Sequence, residues 1–406
     1  MAEYRLGERA YDGDDPDLQF ALKAAHGGDV RPLCLCRQFD AMLPMVIEHR
    51  AMNGADLYLL RRMPGQGHLH TPACRHYEAP EGLSGRADHL GAAIKTEDEG
   101  AHHKLRLGFP LSHQERVASE DDAVEPKAPA RLRQLYARLS LTGFLHHILE
   151  TAELNKMHKG LHDKRGWAVM RGRILEAMAS QSTARYRDLA DYAFCPRVFS
   201  VERKDELFRD WRAIERKAGA EKRAIILFAE LKDIDGGQLI FKHLPQRAFA
   251  VKPDIQKPFL DTLDQITGLM TGPRGAGHVL CCALVTVGEG DVLSIADIAM
   301  VATTAHWIAF GSMPDYRLLT ACDEAGRSYF KSLDYGRDNA VASLVLTDTG
   351  DAGTAVFLID EEPTKAQEAA MKAVAAKGIP VWRCDIAEGR PSLPPRRARQ
   401  APPRAR

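Results

Sequence analysis

A pair of cysteines followed by a compact Cys/His segment constrains this chain more than any other feature. Cys34 and Cys36 lie on a predicted strand, in which side chains two positions apart share one face, so both sulfurs can hold the same ion. Segment 68–76 then offers four further candidate ligands: His68, His70, Cys74 and His76. Two early thiolates and a later Cys–His pair make the sulfur-rich tetrahedral shell that zinc prefers and that magnesium and calcium do not. We predict a structural zinc site, because a filled shell leaves no bound water to activate.

The histidine ligand of this site stays open. Cys74 with His76 gives the pattern CxC followed by CxH, which is the ligand order of a SWIM-type zinc motif. His70 with Cys74 gives an HxxxC spacing that serves equally well. We place His70 first, His76 as the alternative ligand and His68 third. The predicted ligand set is therefore Cys34, Cys36, His70 and Cys74.

Size and charge narrow the class of protein. The chain has 406 residues, more than a single core usually covers, so we expect two or three domains. Lys and Arg together equal Asp and Glu at 55 each, so any attraction to nucleic acid must come from a local patch. The first residues lack a signal-peptide core, and no apolar run is long enough to span a bilayer. We expect a cytoplasmic protein with reduced thiols and no membrane partner.

The hydrophobic pattern predicts an α+β multidomain fold. Two alternating runs, 43–49 and 56–62, flank Asn53-Gly54, a pair typical of β-hairpin turns. From residue 131 the apolar spacing becomes helical, and it becomes mixed further on. The predicted layout is a polar lead-in over 1–30, a small zinc-stabilised antiparallel β domain over 31–111, an acidic linker over 112–130, a helical segment over 131–205, a C-terminal α/β domain over 206–388, and a disordered Arg/Pro tail over 389–406.

The middle segment has two interpretations. Helical spacing predicts helices over 131–154, 167–178 and 187–194, the last of them ended by Pro196. Three helices followed by a β-rich segment match a winged-helix module. They match any other small helical domain equally well.

One motif suggests an enzyme. Glu230 and Lys232 share a face of a predicted strand, as the acid and lysine of PD-(D/E)xK nucleases do. Such nucleases hold Mg²⁺ between two carboxylates. The nearest preceding acid that we considered, Asp210, falls in a predicted helix, so the second metal ligand is missing. An exposed strand of alternating charges explains the same residues.

A basic run in the middle segment suggests nucleic-acid binding. It contains Lys159, Lys164, Arg165, Arg171 and Arg173. Such residues can neutralise phosphates, and the arginine-rich tail can add affinity that falls as salt rises. The alternative is a solvated charged face with no partner.

Several motifs, in their order along residues 30–386, resemble a bacterial family of unknown function. They are segments 32–37 (PLCLCR), 62–67 (RMPGQG), 70–74 (HTPAC), 154–158 (LNKMH), 164–167 (KRGW), 229–232 (AELK), 241–245 (FKHLP) and 344–349 (LVLTDT). The family is catalogued as domain of unknown function eleven-seventy-three, and its members are often found on plasmids and other mobile elements. The resemblance implies that Cys34, Cys36, His70 and Cys74 are the ligands, and it supplies no catalytic residue.

We therefore expect a non-catalytic, zinc-binding accessory protein associated with the DNA of a plasmid or similar element. This hypothesis predicts a salt-sensitive mobility shift that leaves DNA intact in Mg²⁺. A divergent magnesium-dependent nuclease stays as an alternative, and it predicts cleavage that Glu230→Gln or Lys232→Ala abolishes. A scaffold with a protein partner is the third hypothesis, and it predicts neither result.

Overall fold

The computed structural model describes most of the chain. The described residues are 3–37, 42–52, 55–63, 66–72, 74–78, 83–97, 102–112, 137–161, 164–235, 237–245, 247–270, 277–288, 292–336, 341–350, 352–386 and 391–396. Two predicted features, the Asn53-Gly54 turn and nearly all of the acidic linker over 112–130, lie outside them.

Helices and strands alternate irregularly along the described residues. The α-helices are α1 (Leu18–Ala25), α2 (Leu141–Thr151), α3 (Trp167–Met178), α4 (Lys204–Glu221), α5 (Pro253–Met270), α6 (Met313–Glu324) and α7 (Lys365–Ala376). The strands are β1 (Glu3–Leu6), β2 (Arg9–Asp12), β3 (Leu33–Cys34), β4 (Leu43–Met52), β5 (Ala55–Arg62), β6 (Ile94–Glu97), β7 (His102–Leu105), β8 (Lys156–Met157), β9 (Gln181–Thr183), β10 (Ala193–Phe194), β11 (Ile225–Asp235), β12 (Gln238–Phe241), β13 (Ala248–Val251), β14 (Gly277–Val287), β15 (Leu293–Thr304), β16 (Ala309–Phe310), β17 (Tyr329–Lys331), β18 (Leu344–Leu346), β19 (Thr354–Ile359) and β20 (Val381–Asp385). The protein is a mixed α+β protein, as predicted.

An antiparallel sheet near the N-terminus carries the Cys/His segment. Its strand order is β2-β1-β3-β4-β5, and α1 packs on it. The interpretation of residues 1–30 as a polar lead-in is therefore wrong. Tyr4, Leu18 and Leu22 are each buried against the sheet, and a few buried apolar side chains suffice to hold a segment that is polar on average.

The largest sheet closes on itself. β11 pairs with β12, β12 with β13, β13 with β15, β15 with β14, and β14 again with β11. β10 and β16 extend this ring along β11 and β15. Its strands β11 and β14 contain long, mainly apolar buried runs, because both faces are covered: α2 and α3 belong to the core on one face, and α4, α5 and α6 to the core on the other.

Two smaller sheets complete the fold. One has the order β20-β19-β18-β17-β8, with β19 and β20 parallel, and α7 packs on it. The other has the order β6-β7-β9. β8 and β9 come from the middle segment, so each of these sheets joins segments that are distant in sequence.

One buried cluster unites the segments that we predicted as three domains. It contains, among others, Ile94, Phe144 and Phe228, which come from the predicted β domain, helical segment and α/β domain. The domain boundaries themselves stay a prediction.

The middle segment has two of its three predicted helices. α3 has the predicted bounds, and α2 begins at its N-cap Ser140, whose side chain accepts a hydrogen bond from the backbone N–H of Gly143. The third predicted helix, over 187–194, is wrong. Residues 190–192 form a single 3₁₀ turn and Ala193–Phe194 form β10, because pairing with β11 outweighs helical spacing in so short a segment. The winged-helix interpretation depended on this helix.

Part of the Arg/Pro tail is docked rather than disordered. Arg327, which is buried, donates to the backbone oxygen of Pro394, and Trp382 donates to that of Ser392. Arg396 forms an ion pair with Asp348. The prediction of disorder is wrong for residues 391–396, because composition does not reveal that donors elsewhere in the fold form hydrogen bonds to the carbonyl oxygens of the tail.

None of the described helices combines the length and apolar character needed to cross a lipid bilayer.

Candidate functional site

The predicted metal ligands converge beside the N-terminal sheet. β3 places Cys34 opposite Tyr4 of β1 and Leu43 of β4. The second ligand segment follows a 3₁₀ turn over Gly67–Leu69 and is closed by a hydrogen bond from the N–H of Cys74 to the oxygen of Thr71. Gly67 is required here, because a Cβ atom at that position would lie 2.4 Å from the Cβ of Glu78.

Four side chains meet in this cluster. The Sγ atoms of Cys34 and Cys74 are 3.7 Å apart. His70 Nδ1 lies 3.5 Å from Cys36 Sγ and 3.7 Å from Cys74 Sγ. All four ligand atoms lie within 4.8 Å of one another, so they can hold one metal ion.

The structure also decides between the candidate histidines. His76, the alternative ligand, is buried, and its Nε2 lies 2.7 Å from the hydroxyl of Tyr4. Burial lowers the pKa of His76 to about 3, so its ring stays neutral and hydrogen bonded to Tyr4. His68 is exposed and lies outside the cluster. His70 alone of the three contributes a nitrogen to the four-ligand group.

The cluster favours negative charge on one sulfur. Hydrogen bonds from the thiols of Cys34 and Cys74 lower the pKa of Cys36. Hydrogen bonds to the sulfurs of Cys36 and Cys74, together with burial, raise the pKa of Cys34. A thiolate is the form that ligates metals, so this lowered pKa favours metal binding by Cys36.

A charged network links the metal cluster to the rest of the protein. Glu78, four residues after Cys74, forms ion pairs with Arg62 at 2.7 Å and with Arg86 at 3.0 Å. Burial raises the pKa of Glu78, but the attraction of the two arginines outweighs it and lowers the pKa to about 2. Behind Arg86 lies His103, whose pKa burial lowers to about 3.

A basic groove that we did not predict runs along α4. The buried face of this helix carries Leu207 and Trp211, and three arginines recur on the exposed face. The groove has a volume of about 910 Å³, and its cationic lining consists of Lys204, Arg209, Arg212, Arg216 and Arg247. Among the described residues, Arg209, Arg212 and Arg216 form no ion pair.

The acids of this groove do not cancel its charge. Glu215 is buried and lies 3.3 Å from Arg247, so these two neutralise each other. Asp205 is the other acidic residue of the lining. Its single negative charge compares with four positive charges, those of Lys204 and the three exposed arginines, so the groove keeps a net positive charge. Arginines at i, i+3 and i+7 of a helix share one face, and this spacing was the available sequence signal.

The residues predicted to bind nucleic acid differ in their exposure. Arg165 is buried, and its guanidinium donates to the backbone oxygens of Leu154 and Lys156, so its inclusion was wrong. Arg171 is half-buried and donates to the oxygen of Cys195. Lys164 and Arg173 are exposed, and the Lys159 side chain lies outside the described part of the chain.

Glu230 and Lys232 do not share a face of β11 as the nuclease hypothesis expects. The pairing of β11 with β12 shifts register between Leu231 and Asp233, which breaks the alternation of faces. Glu230 is buried, whereas Lys232 is exposed. Among the described residues, no group of acids, histidines and cysteines that includes Glu230 is close enough to share one ion.

Glu230 has other partners. Its Oε1 lies 2.9 Å from Lys242 Nζ and 2.8 Å from His278 Nδ1. His243 Nε2 lies 3.7 Å from its Oε2. The described hydrogen-bond partners of the Glu230 carboxylate are therefore Lys242 and His278.

Comparison with known proteins identifies the family without a function. Neither the curated proteins nor the solved structures contain a match to this chain. Residues 4–385 match the family model described as "Protein of unknown function (DUF1173)". The match covers nearly the whole chain, and the protein therefore belongs to the DUF1173 family.

Proposed function

We propose that this protein is a zinc-stabilised nucleic-acid-binding protein that contacts the phosphate backbone through the groove along α4. The observation that carries the proposal is the row formed by Arg209, Arg212 and Arg216, which is exposed and without an acidic partner in the described chain. Arginine is well suited to phosphate because its planar guanidinium donates two parallel hydrogen bonds.

The geometry of the row suits a phosphate chain. Arg209 and Arg216 are seven residues apart, and a rise of 1.5 Å per residue separates them by about 10 Å along the helix. The half-buried Phe208 lines the same groove and offers an apolar face. Base stacking on such a face is typical of single-strand binding. Such binding depends on the charge of the phosphates and not on the base sequence. We therefore propose it for DNA, as expected from the sequence, and equally for RNA.

Zinc is the metal that we propose for the Cys/His cluster. In a tetrahedral zinc site, bond lengths of about 2.3 Å to sulfur and 2.0–2.1 Å to nitrogen give edges of about 3.8 Å between sulfurs and about 3.6 Å between sulfur and nitrogen. The observed distances are 3.7 Å between Cys34 and Cys74, and 3.5 and 3.7 Å from His70 to two sulfurs. Three sulfurs and one nitrogen leave no open position, so the role is structural. Elemental analysis should find about one zinc per chain, and a chain that folds without metal or selects another metal contradicts the proposal.

Binding is tested with matched arginine variants. The test protein carries Arg209→Gln, Arg212→Gln and Arg216→Gln, and the control carries Arg5→Gln, Arg106→Gln and Arg317→Gln. The control arginines are exposed, lie outside the groove and form no ion pair among the described residues. Both proteins lose three positive charges, so a difference in their affinity for nucleic acid shows that the position of the arginines matters.

Fluorescence anisotropy with labelled single-stranded DNA, duplex DNA and RNA measures the outcome. Each neutralised phosphate contributes about 0.7–0.9 to the slope of log affinity against log salt. We expect the groove variant to lose about 2–3 units of slope, and the control to lose little. Equal losses in both variants, or no binding by the wild type, would refute the proposal.

The compartment and origin of the protein remain part of this proposal. A site with three thiolate ligands requires a reducing compartment, which supports the cytoplasm. An association with plasmids or other mobile elements rests on the family resemblance alone.

A further inference from the structure

The side chains around Glu230 point to a second site, distinct from the groove. We propose that Glu230 and His278 form a dyad in which His278 is the general base and Glu230 positions it, and that this dyad, with Lys242, cleaves RNA without a metal ion. The inference rests on the proposed function only in taking nucleic acid as the substrate, and it adds an activity to binding.

The ring of His278 is held from two sides. Glu230 Oε1 accepts a hydrogen bond from His278 Nδ1 at 2.8 Å, which fixes the ring tautomer with its proton on Nδ1. The indole of Trp307 stacks on the imidazole at 3.9 Å with an angle of 3° between the planes. Nε2 is then the nitrogen with a free lone pair, and it makes no hydrogen bond to a described residue.

Trp307, which stacks on His278, has an unusual backbone conformation. Its φ is 62°, in the left-handed region that residues other than glycine seldom adopt, in the turn between β15 and β16. The ring is buried between His278 and Trp167, whose centroids lie 3.9 and 5.3 Å away. Such conformations persist where packing fixes them, and they concentrate at functional sites.

The charge balance of the site favours an anionic substrate. Glu230 supplies one negative charge; burial raises its pKa, but hydrogen bonds from His278 and Lys242 lower it overall. Lys242 is about half exposed, at 48%, and among the described residues its ammonium group contacts only Glu230, which leaves two of its three N–H donors free of described partners. His243, the other titratable neighbour, is neutral because its Nδ1 accepts from the N–H of Phe199 and burial lowers its pKa. The free donors of Lys242 are therefore the part of the site that can bind an anionic oxygen.

The side chains at this site favour cleavage of RNA over cleavage of DNA. Within the described part of the chain, Glu230 belongs to no group of three or more acids, histidines and cysteines that could share an ion, so the water activation of PD-(D/E)xK nucleases finds no such ligand group here. RNA carries its own nucleophile, the 2′-hydroxyl, next to the phosphorus, and an intramolecular nucleophile needs only a base and charge stabilisation.

The reaction balances without a co-reactant. His278 Nε2 takes the proton of the 2′-hydroxyl, the O2′–P bond forms, and the P–O5′ bond breaks. The departing 5′ oxygen takes a proton from water, and the resulting hydroxide removes the proton from Nε2. The products are a 2′,3′-cyclic phosphate and a 5′-hydroxyl. Lys242 stabilises the charge on the phosphoryl oxygens, and Glu230 acts as a positioning residue.

The test uses the zinc-loaded full chain with no added magnesium or chelator. The substrates are an RNA oligonucleotide, a DNA of the same sequence, and that DNA with a single ribonucleotide. We expect cleavage of the RNA, cleavage of the third substrate only after its ribonucleotide, and intact DNA. His278→Gln should slow cleavage by about 100-fold or more. His102→Gln, an exposed histidine on β7, is the matched control and should cleave normally.

Two further measurements separate failure of this inference from failure of the binding proposal. His278→Gln should bind RNA as the wild type does, which also shows that it is folded. Glu230→Gln should shift the pH profile of cleavage, with partial rescue in Glu230→Asp, and it should shift the pH at which Trp307 fluorescence changes. Intact RNA with normal binding, equal cleavage by His278→Gln, or cleavage of DNA would each overturn the dyad and leave the binding proposal standing.

Discussion

Removal of the metal should unfold the N-terminal sheet before the rest of the protein. The four ligands join β3 to a turn that follows β5, and Cys34 and Cys74 are 40 positions apart. Closing a loop of this length by a cross-link constrains the unfolded chain by about 4 kcal/mol. The core of this sheet is small, with Tyr4, Leu22 and Met45 among its few fully buried residues. Hydrophobic burial alone therefore stabilises the sheet only weakly.

Hydrogen exchange measures this effect for each segment. A loss of about 4 kcal/mol in the free energy of local opening corresponds to about 1,000-fold faster exchange. We expect that acceleration in β3, β4 and β5 when zinc is chelated or when Cys34 is changed to Ser. Strands β11 and β14 should keep their protection, because they lie in a different core.

Cys195→Ser is the matched control for this experiment. Cys195 is buried, lies outside the cluster and makes the same change from thiol to hydroxyl. It should leave exchange in the N-terminal sheet unchanged. Undiminished protection of β3–β5 in the metal-free protein would refute the claim that the ion organises this part of the chain.

Three other perturbations test the charged and docked segments. Glu78→Gln should lower the free energy of unfolding by about 2 kcal/mol in urea titrations, because it removes the carboxylate that pairs with Arg86. The side chain of Glu78 is 28% exposed, so the loss should be smaller than for a fully buried ion pair. Lowering the pH should destabilise the protein between about pH 6.5 and 3, because His103 accepts a proton only when it unfolds; at pH 5 the loss is about 2 kcal/mol. Arg327→Gln should release segment 391–396 and speed its proteolysis, since it removes the donor to that segment's backbone.

Each of these predictions has a result that contradicts it. A Glu78→Gln protein as stable as the wild type would show that solvent screens the pair. His103→Gln should make the free energy of unfolding depend less on pH. An unchanged pH dependence would mean that other groups cause the loss of stability. Arg317→Gln, an exposed arginine on α6, is the control for Arg327, and equal proteolysis of both variants would show that the tail is not held there.

Local spacing in the sequence was enough to predict the metal cluster and several elements. The alternation in Cys34-Leu35-Cys36 depends only on the geometry of an extended chain, and the HxxxC spacing only on one turn. The bounds of α3 follow from apolar periodicity in a segment with no competing pairing. These features are determined within a few residues, so no knowledge of the fold is needed.

The choice between neighbouring candidates depended on residues far away in the chain. His76 forms a hydrogen bond with Tyr4, 72 positions before it, and lies outside the four-ligand cluster. Glu230 pairs with His278, 48 positions after it, because strand pairing brings β14 beside β11, and a bulge moves Lys232 out of register. No local pattern encodes such contacts.

The same distinction explains the surfaces. The row of arginines on α4 was visible in the sequence, but whether it lines a groove depends on Arg247 and on what buries the opposite face of the helix. The polar residues before position 30 and the proline-rich segment 391–396 looked unable to form structure, because composition averages over a segment. A few buried side chains and buried donors elsewhere in the fold hold them in place. Sequence determined what each segment can form by itself, and tertiary contacts decided which partner each side chain meets, since those contacts join residues that only the fold brings together.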